Sequence, residues 1–195
     1  MRIIGGKFRS RNLQAPKGKH TRPTSSRLRG MFFDICQGLV EGESFLDVFA
    51  GAGAMGLEAI SRGAADAVFI EKNKSALSCI RNNAALLGVE NQIKIFCGDA
   101  IDMLLLLAKK GKCFPMIYVD PPYKTVCQWR GQEFLYSELV LKIIDEKGIL
   151  QEDGVLFLEE ASLVDLAGQS LCNLVMRDKR ACGSTMLWHY EHALS

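Results

Sequence analysis

An acidic residue, two prolines and an aromatic residue stand together in Asp120-Pro121-Pro122-Tyr123, directly after an apolar run. Their types suit chemistry at an exocyclic base amine, a poor nucleophile because its lone pair is delocalised into the ring. A carboxylate and the adjoining proline carbonyl can each accept one N–H of such an amine, and the prolines fix φ and offer no donor. An aromatic ring can stack on an extracted base. We therefore expect all four residues to be catalytic, since a rigid turn explains the prolines but not the acid and the aromatic.

A glycine-rich turn with Gly51, Gly53 and Gly56 follows an earlier apolar run and leads into a helix-like segment. Its spacing satisfies the G-x-G-x-x-G fingerprint, in which a helix N-terminus faces a pyrophosphate. Asp47 favours a different ligand, because a carboxylate at the end of the strand repels an anion and attracts a cation. S-adenosyl-L-methionine carries a sulfonium and an amino group. We therefore expect it as the cofactor, with S-adenosylhomocysteine as the product. The alternative, a turn needed only for packing of the strand against the helix, would explain Gly56 but not all three glycines.

Two further carboxylates follow later apolar runs. Glu71 lies twenty residues after Gly51, at a place where a carboxylate commonly pairs with ribose hydroxyls. A surface glutamate at the end of a strand would have the same pattern. Asp99 could accept from an adenine amine or only cap the following helix, and the residues leave both interpretations open.

The first 33 residues carry nine basic side chains and no acidic one, although the net charge of the chain is only +2. Apolar residues interleave with the charges and Gly5-Gly6 offers a turn, which favours a small β-hairpin over a disordered, solvated tail. An ordered basic arm suits a phosphate backbone. The residues expected to contact RNA are Arg2, Lys7, Arg9, Arg11, Lys17 and Lys19.

Apolar runs and helix-like segments alternate along the middle of the chain, and these elements would position the residues above. Such alternation predicts a Rossmann-like, doubly wound sheet of the α/β class, whose ligands bind at the carboxyl edge of the strands. The expected strands are 45–49, 67–70, 93–96, 116–119 and 155–158, with an antiparallel edge pair, 174–176 and 186–190, around a turn-rich stretch at 178–184. The expected helices are 28–38, a segment after Gly53, 73–87, 99–110 and 134–147.

The composition predicts one domain, which we place at 23–195, preceded by an arm at 1–22. With 195 residues, of which 48% are hydrophobic, the chain can bury one sizeable core. No apolar run reaches membrane-spanning length, and the N-terminus does not have the pattern of a signal peptide. The seven cysteines are scattered and form no C-x-x-C pair. We therefore expect a cytoplasmic monomer without a membrane or metal partner.

Together these residues resemble the RsmD-like bacterial 16S ribosomal RNA guanine-N2 methyltransferases, a group within the class I methyltransferases that carry Asp/Asn-Pro-Pro-Tyr. The resemblance covers almost the whole chain and rests on 1–9, 21–24, 45–53, 71–72, 98–100 and 120–123. It implies a seven-stranded sheet with the last strand antiparallel and a basic hairpin that helps to hold RNA. It also implies that the substrate is a guanine in the head of the small subunit, offered as 16S RNA or as an assembling particle.

The resemblance also implies a set of cofactor-binding residues, with the segment 22–24 closing over the cofactor. That set is Arg22, Pro23, Thr24, Asp47, Phe49, Gly51, Gly53, Gly56, Glu71, Lys72, Asp99 and Ala100. Some positions depart from the family pattern. Ala52 stands where serine is frequent, Ser26 and Gly30 where acids are common, and Ala181-Cys182 where Tyr-Gly is usual.

Three other functions fit parts of the sequence. An adenine-N6 methyltransferase would use the same tetrapeptide, but no extra target-recognition segment is visible. A nicotinamide-dependent oxidoreductase would use the three glycines, and a non-catalytic RNA-binding protein would use only the arm. Of these four functions, guanine-N2 methylation accounts for the tetrapeptide, the acids and the arm together.

Overall fold

A computed structural model describes residues 1–16 and 26–193 of the chain. In chain order, the elements of the first half are α1 (Ser26–Ile35), β1 (Ser44–Val48), α2 (Ala54–Ser61), β2 (Asp66–Glu71), α3 (Lys74–Leu87) and β3 (Ile93–Cys97). Those of the second half are α4 (Ala100–Lys109), β4 (Phe114–Val119), β5 (Val126–Trp129), β6 (Gln132–Leu135), α5 (Tyr136–Glu146), β7 (Leu150–Ala161), β8 (Leu174–Cys182) and β9 (Thr185–His192).

Seven of the strands form one sheet with the order β3-β2-β1-β4-β7-β9-β8. Strands β1, β2 and β3 pair in parallel, as do β4 and β7. The last strand of the chain, β9, is antiparallel to both β7 and β8. The predicted α/β class, the seven strands and the antiparallel last strand are therefore confirmed.

Two compact units, Met1–Asp99 and Ala100–Ser195, make up the chain. In the first unit, β1 and β2 are buried almost from end to end, as expected for parallel strands covered on both faces. Phe32 of α1 packs edge-on against Phe45 of β1, with ring centroids 5.9 Å apart. Helix α3 begins where the Asn73 side chain accepts from the Ser75 and Ala76 backbone N–H groups, and Gly88 ends it in the left-handed region.

The second unit differs from the prediction at two places. The stretch 178–184 is not a turn-rich segment, because β8 continues through it to Cys182 with a register shift between Met176 and Asp178. Charged side chains on this edge strand gave it the composition of a loop. The separate two-stranded sheet β5-β6 was not predicted, and α5 begins after it at Tyr136 rather than at 134.

The described part of the arm does not confirm a hairpin of two strands. Arg2 and Asn12 form one isolated antiparallel bridge, and the Ile3 backbone N–H donates to the Arg11 carbonyl over 2.9 Å. The residues between them form turns rather than strands. The backbone N–H groups of Ile4, Gly5, Lys7 and Phe8 donate to α2, so they are not available for a longer ladder.

Candidate active site

Asp47 lies beneath the glycine-rich turn and is almost completely buried. Its Oδ2 accepts the backbone N–H of Gly56 over 3.0 Å, and it is 2% exposed. Burial raises the pKa of this carboxyl to about 7; the Gly56 hydrogen bond opposes the shift, and the nearby charge of Glu71 adds to it. Among the described residues, Asp47 forms no ion pair. A cationic ligand would stabilise its ionised form, so the site fits an ammonium or sulfonium group.

Each of the three glycines of the turn meets a different structural requirement. Gly51 has φ +54°, and a Cβ there would meet open space, which leaves room for a ligand against the backbone. Gly53 caps α2 in the left-handed region. At Gly56 a Cβ would overlap the ring of Phe69. The packing role considered for Gly56 is therefore confirmed, and Gly51 is the position that leaves space.

Phe49 adds a strained residue to the same turn. Its φ is +66°, a value that bulky residues rarely adopt. The next residue, Ala50, donates its N–H to the Ile70 carbonyl over 3.0 Å and so ties the turn to β2. Strained backbone of this kind clusters at ligand sites, where the surrounding structure fixes it.

Glu71 joins the glycine-rich turn to the start of α3. Its Oε2 accepts from the Gly51 N–H over 2.8 Å, and its Oε1 accepts from the Lys72 and Asn73 N–H groups over 2.9 and 2.8 Å. A carboxylate has about four acceptor positions. Glu71 therefore holds the turn in place and retains capacity for a hydroxyl of a ligand.

The remaining predicted cofactor residues lie nearby in the chain or outside the described ranges. Lys72 Nζ donates to Asp99 Oδ2 over 3.2 Å, in an exposed ion pair that ties β2 to the end of β3. Ala100 is buried at the start of α4. The predicted residues Lys17, Lys19, Arg22, Pro23 and Thr24 lie outside the residues that the structure describes.

The described arm is docked on α2 by hydrogen bonds that the sequence did not reveal. The buried carboxylate of Glu58 accepts the backbone N–H groups of Ile4 and Gly5 over 2.8 and 2.7 Å. At the end of the helix, the Lys7 N–H donates to the Ser61 carbonyl over 2.6 Å, and a Cβ on Gly6 would overlap that carbonyl. The Gly5-Gly6 pair thus serves close backbone approach rather than a hairpin turn.

Asn83 of α3 connects the arm with the glycine-rich turn and is fully buried. Its Oδ1 accepts from the Gln14 N–H over 2.7 Å, and its Nδ2 donates to the carbonyls of Gln14 and Ala52 over 3.0 Å each. Arm, α2, α3 and turn are therefore one hydrogen-bonded assembly in the first unit. Its solvent side carries four of the predicted RNA-contacting cations, all exposed: Arg2, Lys7, Arg9 and Arg11.

The tetrapeptide follows β4 in the second unit and leads into a tight turn at 122–125. Asp120 and Tyr123 are half-buried, Pro121 is buried and Pro122 is exposed. The Thr125 N–H donates to the Pro122 carbonyl over 3.3 Å, with Lys124 between them in the left-handed region at φ +54°. The tetrapeptide follows the fourth strand, β4, as predicted, and its rigidity stays a prediction.

Tyr123 is anchored through its hydroxyl, which donates to Glu159 of β7 and lies 3.3 Å from Thr185 Oγ1 of β9. Burial, the charge of Asp120 and the hydrogen bond to Glu159 all raise the pKa of Tyr123, which therefore stays protonated. Sequence reasoning missed Glu159. The available signal was two consecutive acids, Glu159 and Glu160, at the end of an apolar run. Among the described residues, no cluster of side chains could hold a metal ion.

Known proteins share most of the length of this chain. It matches the family described as "Conserved hypothetical protein 95" over residues 1–191. It is 32% identical over 191 residues to "Putative rRNA methyltransferase YlbH" of Bacillus subtilis (strain 168), covering 98% of each chain. It is 33% identical over 159 residues to "Ribosomal RNA small subunit methyltransferase D" of Escherichia coli (strain K12), covering 82% of this chain and 74% of that one. The solved structure "Putative methyltransferase yhhF from Escherichia coli" has a TM-score of 0.81 at 29% identity, covering 98% of this chain and 97% of that one.

A seven-stranded sheet with this strand order, together with that structural match, defines a class I methyltransferase fold. More particularly, the chain belongs to the family of RsmD-like methyltransferases, since the family match and the relative from Bacillus subtilis both span nearly all of it. The methyl donor of this family is S-adenosyl-L-methionine. Among the described residues, no helix is long and apolar enough to cross a membrane.

Proposed function

We propose that the protein transfers a methyl group from S-adenosyl-L-methionine to the N2 amine of a guanine in 16S ribosomal RNA. The observation that carries the proposal is the anchored Asp120–Tyr123 turn after β4, in a chain of the RsmD-like family. The relative in Escherichia coli is named for the RNA of the small ribosomal subunit. Guanine N2 follows from the family resemblance, because the tetrapeptide alone suits adenine N6 equally.

The cofactor would lie in the first unit, with its cationic part near Asp47 and its ribose near Glu71. Asp47 is a buried acid next to the open space of the glycine-rich turn, its pKa is raised by burial, and Glu71 retains capacity for a hydroxyl donor. The open space at Gly51 would let the ligand contact the backbone. The other residues assigned to the cofactor are Arg22, Pro23, Thr24, Phe49, Gly53, Gly56, Lys72, Asp99 and Ala100.

The acceptor base would lie at the tetrapeptide. Asp120 would accept one N–H of the amine and the Pro121 carbonyl the other, which localises the lone pair on nitrogen. Tyr123 would stack on the base through its ring, because its hydroxyl is already bound to Glu159. When bound, S-adenosyl-L-methionine would supply an electrophilic methyl group to the nitrogen that Asp120 and Pro121 orient.

The arm would hold the RNA, with Lys17 and Lys19 adding to the four exposed cations of the described part. Docking by Glu58 and Asn83 supports this role, because a fixed arrangement of cations can match a fixed arrangement of phosphates. We place the boundary between arm and domain at residue 22, and we assign the protein to the cytoplasm as a monomer.

Transfer of labelled methyl groups to 16S RNA tests the proposal. The RNA is taken, free and as small subunits, from a bacterium that lacks the relative of this protein. We expect Asp120→Ala to lower the rate at least about 100-fold, while calorimetry shows unchanged affinity for S-adenosylhomocysteine. Asp102→Asn, at an exposed acid of α4, is the matched control and should keep the wild-type rate. Wild-type transfer by Asp120→Ala would contradict the assignment.

A further inference from the structure

The hydroxyl of Tyr123 is held by side chains of two strands in the second unit. It donates to Oε1 of Glu159 in β7 and lies 3.3 Å from Thr185 Oγ1 in β9. Glu159 is 5% exposed, and its Oε2 accepts the hydroxyl of buried Tyr118 over 2.6 Å. Each oxygen of this carboxylate therefore has one tyrosine hydroxyl, and the far end of the Tyr123 side chain is fixed although its ring is only half-buried.

We infer that Glu159 is a positioning residue for methyl transfer, which holds the ring of Tyr123 in the orientation that stacks on the target base. The inference rests on the proposed function. It gives a role to a residue outside the tetrapeptide, which acts through Tyr123 and does not contact the reacting atoms.

A buried carboxylate is an unfavourable choice if hydrogen bonding to two hydroxyls were its whole purpose. Its charge must leave water, whereas a glutamine of the same length would offer an acceptor without that penalty. Between described residues, Glu159 forms no ion pair that would offset the charge. The charge is thus explained by what it does to Tyr123, since a hydrogen bond to a carboxylate is stronger and more directional than one to an amide.

Anchoring also determines which part of Tyr123 can take part in the reaction. The hydroxyl donates to Glu159, and its raised pKa keeps it protonated, so it is not available as a base. Donation to a carboxylate makes the ring of Tyr123 more electron-rich, which favours the positive charge that nitrogen carries between methylation and loss of its proton.

The backbone next to Tyr123 is held by the neighbouring acid. Oε1 of Glu160, which is 1% exposed, accepts the Lys124 N–H over 3.2 Å and the Ala161 N–H over 2.7 Å. Successive residues of a strand point to opposite faces, so Glu159 and Glu160 have different partners. Glu160 binds the backbone next to Tyr123, and Glu159 binds the hydroxyl of Tyr123.

Steady-state kinetics of methyl transfer to 16S RNA test the inference. Glu159→Gln and Tyr123→Phe should each lower kcat about tenfold, because both weaken the same charged hydrogen bond. KM for RNA should stay within about twofold, since the base still enters and only its alignment is lost. The double variant should be no slower than the slower single variant, because its two changes remove one shared contact.

Matched variants separate positioning from folding. Tyr190→Phe removes another buried tyrosine hydroxyl of the second unit, which lies 3.5 Å from the Leu166 carbonyl, and it should keep the wild-type kcat. Tyr123→Phe retains the ring and leaves Glu159 in place, so its kcat tests the anchor even if Glu159→Gln folds poorly. Thermal unfolding and affinity for S-adenosylhomocysteine identify variants that are misfolded.

Three results have distinct meanings. A wild-type kcat for Tyr123→Phe, or for a folded Glu159→Gln, would overturn the inference. Multiplied losses in the double variant would also overturn it, because they would show two independent contributions. If the wild-type protein itself failed to methylate 16S RNA, the proposed function would fall instead.

Discussion

At the scale of single residues, Asp47 combines burial with a negative charge, and this combination links cofactor binding to pH. Its pKa of about 7 means that a large fraction of the free protein carries a proton there near neutrality. A cationic ligand binds the ionised form, so binding below this pKa must release that proton.

Affinity for S-adenosyl-L-methionine should therefore fall as the pH is lowered through about 7, by up to tenfold per pH unit. Asp47→Asn keeps an oxygen for the Gly56 N–H but has no charge, so its affinity should be weak and nearly independent of pH. Calorimetric titrations of both proteins across this pH range measure the effect. A wild-type affinity that does not change with pH would contradict the assignment of Asp47 to the cofactor.

The same residue should reduce the stability of the ligand-free protein. The pKa of Asp47 is about 7 in the folded protein and 3.8 in the unfolded chain, so the folded state binds the proton more tightly. Its contribution to the free energy of unfolding is therefore fully present below the unfolded pKa and is lost as the pH rises through the folded pKa. At pH 7, Asp47→Asn should raise the free energy of unfolding by about 2 to 4 kcal/mol, and the difference should shrink towards pH 4. Urea unfolding at both pH values measures it; a destabilised variant at pH 7 would refute the prediction.

Residue types in short segments predicted Asp47, Gly51, Glu71 and Asp120 as site residues, because each lies in or shortly after a readable apolar run. Asn83 and Glu159 were not identified, because their partners are distant in the chain: Asn83 binds the Gln14 backbone and Glu159 binds Tyr123. The sequence around a glutamate in a strand does not show which hydroxyl will donate to its carboxylate.

At the scale of elements, the eight-residue helix α2 has two structural roles. Its first turn donates to Asp47 through Gly56, and the side chains of Glu58 and Ser61 dock the arm. Because the helix is short and completely buried, a shift at either end moves the other.

Gly56→Ala should displace α2, because the added methyl group would overlap the ring of Phe69. We expect a loss of about 1 to 3 kcal/mol in the free energy of unfolding, together with weaker cofactor binding. Gly30→Ala is the matched control. A Cβ there lies 3.8 Å from its nearest neighbour, in the interior of α1, and should stabilise the protein by about 1 kcal/mol. Equal effects of the two substitutions would refute the packing role of Gly56.

Periodicity predicted the long elements well, and it failed where the pattern was short or mixed. The seven strands and helices from 44 to 119 agree with the expected ranges within a few residues, because each is an apolar run or an amphipathic segment of sufficient length. Strands β5 and β6 have four residues each and carry polar side chains on either side of Arg130-Gly131. Such strands have too little alternation to be recognised.

At the scale of the whole molecule, the charge is distributed unevenly along the chain. The described arm presents exposed cations, and the second unit contains the buried acids Glu159 and Glu160 next to the tetrapeptide. The doubly wound fold was predictable because it depends on the alternation of elements. The docking of the arm was not, because it depends on backbone hydrogen bonds to α2 and α3.

Arg9→Ala combined with Arg11→Ala should weaken binding to 16S RNA and make it less sensitive to salt. Each phosphate contact that is lost should reduce the slope of log affinity against log salt concentration by about 0.7 to 0.9. The control pair Lys112→Ala and Lys147→Ala, at exposed lysines of the second unit, should leave the slope unchanged. An unchanged slope in the arm variant would show that these residues do not contact phosphates.

The most direct test of guanine-N2 methylation is mass analysis of nucleosides from small-subunit RNA. The RNA comes from a bacterium that lacks the relative of this protein, before and after expression of the wild-type chain or of Asp120→Ala. We expect N2-methylguanosine to appear with the wild-type chain and to stay absent with the variant. The appearance of N6-methyladenosine instead, or of no methylated nucleoside, would contradict guanine-N2 methylation of 16S RNA.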